Sequence, residues 1–196
     1  MKRVFAITMG LVIMGIAGFQ STHHASGQAA VTTTLFDGTN LSAFNVLGDA
    51  NWQLVDGVVQ ANKGTGYLVT KASYTDFQIN LEFWVDEDAN SGVFIRCSNP
   101  QEVNGNNAYE VNINDKRPDQ TYRTGGIVTV AKPTSVINTG GRWNTYEITA
   151  RGPRMMVTLN GTRVVDVEHT GHASGPIALQ YSAGIVKFRN VVIKTF

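Results

Sequence analysis

The feature that most constrains this sequence is a set of short segments in which apolar and polar residues alternate one by one. In DFQINLEFWV, residues 76–85, Phe77, Ile79, Leu81, Phe83 and Val85 alternate with Gln78, Asn80, Glu82 and Trp84. A strand sends successive side chains to opposite faces, so this pattern predicts one buried and one outward face. SGVFIRC, AYEVNIND, WNTYEITA, RMMVTL, TRVVDVEH, IALQYS and VKFRNVVIKTF read the same way. WQLV and VVQA flank Asp56-Gly57, and RMMVTL and TRVVDVEH flank Asn160-Gly161, both turn pairs that favour a tight hairpin. No convincing amphipathic helix, internal repeat or linker interrupts them. Many short strands without helices predict an all-β fold, a two-sheet antiparallel β-sandwich. Alternation alone does not give the order of strands within the sheets.

Lys2 and Arg3 precede the apolar run VFAITMGLVIMGIAGF, followed by the small-residue region HHASGQAA. That order predicts a secretory signal peptide over residues 1–30, cut near Ala29 or Ala30, and a secreted or periplasmic mature domain over 31–196. The apolar run is shorter than the roughly 20 residues that span a bilayer, so no membrane anchor is expected after cleavage. The sequence carries 16 basic and 15 acidic residues, for a net charge of +1. That balance gives no basic surface to steer toward nucleic acid. Cys97 is the one cysteine, which excludes an internal disulfide, and its place in SGVFIRC predicts a small core residue rather than a nucleophile.

The outward faces of four segments carry an unusual set. Asn80, Glu82 and Trp84 come from the first, Phe94 and Arg96 from SGVFIRC, Glu110, Asn112 and Asn114 from AYEVNIND, and Gln180 and Ser182 from IALQYS. The set holds no lysine and no threonine. It offers carboxylates, carboxamides and a guanidinium beside aromatic planes. Planar polar groups fix donors and acceptors in space, and an aromatic plane covers the C–H face of a sugar. If the four strands are neighbours, this is a surface for a small carbohydrate. If they are not, it is a divided set of solvated faces and ion pairs.

In order along the chain stand LFDGTNLSAF, W-x-L-V-D-G-V-V, NSGVFIR, YEVNIND, RWNTYEITARG, VTLNGTRVVD, GPIALQ and VKFRNVVI. This ordered combination, from about Leu35 to Phe196, resembles the 3-keto-disaccharide hydrolase domain family, concanavalin-like jelly rolls common in exported bacterial proteins. The resemblance implies glycosides oxidised at C3, cleaved by removal of the C2 proton and elimination of the C1 aglycone. Such chemistry needs a general base and an electrophile at the enolate oxygen. A divalent metal is the electrophile in some members, and which residues here would ligate one is left unassigned.

On that resemblance Glu110 is the base or metal ligand, Arg96 a hydroxyl contact or partner of Glu110, and Glu82 the second carboxylate. Asn90 and Ser91 join the substrate contacts at a strand entrance, with Gly92 allowing close backbone approach, and Gln180 reaches a sugar hydroxyl. One departure stands out. Many relatives continue L-Q-D-H-G after this strand, whereas this chain reads Tyr181-Ser182-Ala183-Gly184. The missing histidine removes a natural metal ligand or proton carrier. His169 and His172, three residues apart, read as free loop histidines or as a weak substitute pair. Three functions compete: a 3-keto-glycoside hydrolase, a non-catalytic carbohydrate-binding module, and a conventional glycosidase using Glu82 and Glu110.

Overall fold

A computed structural model describes Met1 and residues 30–196, so the expected signal segment lies almost wholly outside the described residues. The strands are β1 (Val31–Phe36), β2 (Phe44–Gly48), β3 (Gln53–Val55), β4 (Val58–Ala61), β5 (Gly66–Thr70), β6 (Phe77–Val85) and β7 (Ser91–Ile95). They continue with β8 (Tyr109–Ile113), β9 (Trp143–Arg151), β10 (Arg154–Leu159), β11 (Thr162–Glu168), β12 (Ala178–Tyr181) and β13 (Val186–Thr195). A single 3₁₀ turn, Gln120–Tyr122, is the helical element among the described residues. Both predicted hairpin turns form: Asp56 and Gly57 have φ of 50° and 76°, and Asn160 and Gly161 have 50° and 78°. Positive φ at both central residues gives the turn whose twist matches that of the flanking strands.

The strands make two antiparallel sheets. One runs β11-β10-β9-β6-β13-β4-β3, with β1 also paired to β13, and the other runs β2-β5-β12-β7-β8. The expected sandwich is therefore present, with a jelly-roll architecture. Its core lies between the sheets. Phe77, Ile79, Leu81, Phe83 and Val85 of β6 meet Val93 and Ile95 of β7, Tyr109, Val111 and Ile113 of β8, and Leu179 and Tyr181 of β12. Burying each large apolar side chain contributes about 1.5–3 kcal/mol, so the core needs no cross-link. Three strands, β1, β2 and β5, were not expected from alternation. They are too short, or too evenly threonine-rich, to display it.

Two loops divide the outer face of the five-stranded sheet. Residues 97–108 cover one half, where Val103, Ala108 and Cys97 bury Phe94 of β7, Val69 of β5 and Ala178 of β12 in a second small cluster. Cys97 is thus buried as expected, but in this outer cluster and not in the main core. Residues 115–128 turn back along the free edge of β8. Gly125 N donates to Asn112 O, Asn112 N to Gly126 O and Val128 N to Glu110 O, each at 3.0 Å. Asp115 pins that loop. Its carboxylate accepts from Thr124 Oγ1 at 2.6 Å and from the Thr139 and Gly140 amides at 2.5 and 3.2 Å.

One bond crosses the core to this region: the buried Tyr146 hydroxyl of β9 donates to Asn112 O of β8 at 2.7 Å. Tyr146→Phe deletes one buried hydrogen bond while leaving the acceptor its bond from Gly125, and is expected to cost about 1 kcal/mol by urea unfolding.

Candidate functional site

The open half of the five-stranded sheet's outer face is organised around a residue with no side chain. Gly92 of β7 lies beside Asn112 of β8, and a Cβ at Gly92 would stand 3.2 Å from Glu110 Cγ and 3.4 Å from Glu110 Oε1. The carboxyl of Glu110 therefore leans over the sheet into space that any other residue at 92 would fill. Among the described residues no donor bonds to it. Burial pushes the pKa of Glu110 up, and the nearby charge of Arg117 pulls it part of the way back.

Around Glu110 stand amides and a phenol. Tyr67 of β5 packs edge-on over Phe94 at 5.4 Å between ring centroids, and its hydroxyl accepts from Gln180 Nε2 of β12 at 3.4 Å. Burial raises the pKa of Tyr67, with the negative charge of Glu110 adding to it, so the phenol stays protonated. A cavity of about 260 Å³ beside Tyr67 and Gln180 is also lined by Leu47, Thr65 and Ser182. At the end of the face, Asn114 Nδ2 donates to Asn90 Oδ1 and Asn90 Nδ2 to Ser182 Oγ, both at 3.3 Å. Two buried polar atoms here have no partner: Gln180 Oε1 and Asn112 Oδ1. Buried polar atoms are nearly always paired, so orphans gathered at one place mark unused bonding capacity.

The expected site residues divide. Glu110, Asn112, Asn114, Gln180, Ser182, Asn90 and Phe94 share this face. Asn112 is fully buried, and its Nδ2 donates to Tyr122 O at 2.6 Å, so it ties the 115–128 loop to the sheet. Phe94 is buried beneath Tyr67 and forms the floor. Ser91 is buried with its hydroxyl donating to Gln180 O at 2.6 Å, so it joins two strands and is closed to a ligand.

Asn80, Glu82 and Trp84 lie elsewhere, because β6 belongs to the eight-stranded sheet and its outward face is the opposite side of the sandwich. There the Arg189 guanidinium grips Glu82 Oε2 at 2.6 and 2.8 Å and Asn190 Nδ2 donates to Oε1 at 2.6 Å. Burial alone would raise the pKa of Glu82, but the Asn190 and Arg189 donors outweigh it and hold the carboxylate ionised. Lys187 Nζ sits 4.7 Å from the centroid of the Trp84 ring. Glu82 and Glu110 thus cannot form the carboxylate pair of a conventional glycosidase.

Arg96 is also misplaced by alternation. Its φ of 54° breaks the strand and turns the side chain inward, where it is 2% exposed. Its guanidinium donates to Thr75 O at 2.6 Å and Gly152 O at 2.8 Å, and pairs with Asp76 at 3.3 Å. It clamps chain segments and does not face Glu110. Tyr67 and Arg117 were not anticipated: GYLVT is too short to announce a strand, and nothing in DKRPDQ distinguishes Arg117 from a solvated charge.

His169 and His172 flank the ring of Tyr109. The Tyr109 hydroxyl meets His169 Nδ1 at 2.9 Å and accepts from the His172 amide at 2.9 Å. Among the described residues no group of three or more histidines, cysteines or acids converges as a metal site. At Glu110 the polar set is one carboxylate with the unpaired amide oxygens of Asn112 and Gln180. Hard divalent cations take both carboxylate and amide oxygens, so these are the residues that would hold one. A separate cavity of about 460 Å³ lies by Leu47, Lys71, Cys97 and Pro176, and no acid or histidine lines it.

The family model described as the 3-keto-alpha-glucoside-1,2-lyase-like domain matches residues 31–194. No curated protein matches the sequence. Two crystal structures of candidate glycosyl hydrolases from Parabacteroides distasonis resemble the fold. One has a TM-score of 0.75 at 21% identity over 84% of this chain and 94% of its own, and the other 0.72 at 26% identity over 85% and 100%. The carbohydrate-binding module CBM66 of Bacillus subtilis shares the fold with a TM-score of 0.61 at 16% identity, over 76% of this chain and 93% of its own.

A testable consequence follows from the raised pKa of Glu110. Folded, the carboxyl binds its proton more tightly than unfolded, so ionising it costs stability. That cost is absent below the ordinary value of 4.5 and grows as pH rises through the raised folded value. Glu110→Gln is expected to unfold at higher temperature than the parent at about pH 7, with the difference vanishing near pH 3, by calorimetry at both.

Proposed function

Given that this chain belongs to the family of 3-keto-alpha-glucoside-1,2-lyase-like domains, we propose that it cleaves 3-keto-glycosides on the open face around Gly92. The observation that carries this reading is Glu110: a carboxyl without a protein partner, raised in pKa by burial, leaning over a glycine whose missing Cβ leaves room for it. A base tuned upward toward the working pH is what removal of a weakly acidic C–H proton requires.

The chemistry follows from the ketone. A carbonyl at C3 acidifies the proton on C2. Glu110 takes that proton, and the C–H electron pair becomes the C2–C3 double bond of an enolate, with the charge on the C3 oxygen. Collapse of the enolate restores the ketone, forms a C1–C2 double bond and expels the aglycone oxygen with the bonding pair. The protonated Glu110 or water supplies the proton that oxygen needs. Addition of water across C1–C2 completes net hydrolysis. The amides of Asn90, Asn114 and Gln180 with Ser182 supply donors and acceptors for the remaining hydroxyls, and Tyr67 a flat surface for the ring. The amino-terminal segment would place this activity outside the cytoplasm.

A non-catalytic carbohydrate-binding module is the second reading, favoured by Tyr181-Ser182 where many relatives have an acid and a histidine. A 3-keto-glucoside with a chromogenic leaving group separates the two. Release is expected from the parent, with loss of about 10²–10⁴-fold in Glu110→Gln and little change in Glu82→Gln. Binding by calorimetry without release would leave the module, and equal cleavage of the unoxidised glucoside would remove the keto-dependent route.

A further inference from the structure

The hydroxyls of three buried tyrosines each donate to a neighbour: Tyr109 to His169 O at 3.3 Å, Tyr146 to Asn112 O at 2.7 Å and Tyr181 to Gly184 O at 3.0 Å. Tyr67 differs. Its hydroxyl oxygen accepts from Gln180 Nε2 at 3.4 Å, and among the described residues nothing accepts its proton. A phenol both donates and accepts, so the Gln180 bond engages the oxygen and leaves the O–H free. The side chain is nevertheless fixed. Tyr67 stands directly opposite Gln180 in the β5–β12 pair, and its half-buried ring packs edge-on over Phe94 at 5.4 Å between centroids.

Phe94 is also the neighbour of the base. It stands directly opposite Glu110 in the β7–β8 pair, and such residues lie about 4.5–5.5 Å apart at Cβ. Two residues along the same face, a Cβ at Gly92 would lie 3.2 Å from Glu110 Cγ. Phenol and carboxyl therefore border one stretch of sheet floored by Phe94 and Gly92, the phenol from the β5 side and the carboxyl from the β8 side. Tyr67 and Gln180 also line the cavity of about 260 Å³ with Leu47, Thr65 and Ser182, and no charged residue lines it. A neutral group attached to the sugar on the Tyr67 side has room to extend there.

We infer that Tyr67 is the acid of this site, giving its free hydroxyl proton to the aglycone oxygen as the C1–O bond breaks, while Glu110 takes and keeps the C2 proton. The inference rests on the reading proposed above and names the residue that serves the leaving group. The C2–H pair ends in the C1–C2 double bond, the C1–O pair leaves with the aglycone, and the phenolic proton completes the released alcohol. Tyr67 is left as a phenolate. Hydration runs the path in reverse: the phenolate takes a proton from water as the water oxygen bonds C1, and Glu110 returns its proton to C2. Both groups are restored and no further reactant is needed. A phenol suits the role because burial keeps it protonated at neutral pH, yet it is a stronger acid than the alcohol it produces. Gln180 is a positioning residue, since its bond to the phenolic oxygen directs the O–H away from β12.

Tyr67→Phe tests this with two 3-keto-glucosides, one releasing an acidic nitrophenol and the other methanol. The variant keeps the ring over Phe94 and loses only a hydroxyl with one long bond, so its urea midpoint is expected to stay near the parent's. A nitrophenolate leaves without a proton, whereas methoxide needs one. Methanol release is therefore expected to fall about 10²–10³-fold in kcat with KM within a few-fold, and nitrophenol release by less than about threefold. Glu110→Gln is expected to slow both substrates. Equal losses on the two substrates in Tyr67→Phe, or unchanged methanol release, overturn the role of Tyr67. If Glu110→Gln still abolishes release in that case, the proposed function stands. A parent that releases neither leaving group overturns both.

Discussion

The candidate site depends on a carboxyl group kept from every partner that would neutralise it. Glu110 reaches over Gly92 because that residue has no Cβ, and the closest alternative, alanine, would put a carbon 3.2 Å from Glu110 Cγ. Burial makes the charged form costly, and the charge of Arg117 offsets only part of that cost. The contrast with Glu82 is instructive. That carboxylate has three donors and a lowered pKa, and is chemically quiet. Two glutamates on alternating strands read alike in sequence, and their surroundings separate a satisfied ion pair from a poised base.

The scaffold around Glu110 is built to hold that geometry. The loop 115–128 closes the edge of β8 with backbone hydrogen bonds, so the strand that carries Glu110 is flanked on both sides. Asp115 gathers the loop, Asn112 ties it down, and Tyr146 reaches across the core to the same stretch of β8. The loop 97–108 seals the other half of the face over Phe94, leaving an open area bordered by Tyr67 and Gln180. Site residues set on paired strands and a pinned loop keep their positions better than residues on free loops.

Much of the fold was legible in the sequence. Alternation separated inward from outward residues correctly along β6 and β8, and the Asp-Gly and Asn-Gly pairs located two hairpins. Alternation could not say to which sheet a strand belongs, because a period of two is the same in both. That is why Asn80, Glu82 and Trp84 were grouped with residues on the far side of the molecule. Arg96 failed for a different reason: a single residue at positive φ ends the alternation, and a β-bonded pattern in sequence carries no sign of it. Ser91 is polar and yet belongs to the inward face, where its hydroxyl is taken by a neighbouring strand. Tyr67 became visible only once long-range pairing placed β5 in the same sheet as β8, with β12 and β7 between them.

The most direct measurement is a crystal structure of Glu110→Gln with a 3-keto-glucoside bound. The account predicts the sugar on the five-stranded sheet, with C2 beside residue 110. A sugar seated instead on the eight-stranded sheet beside Glu82 and Trp84, or in the cavity near Cys97, would contradict it.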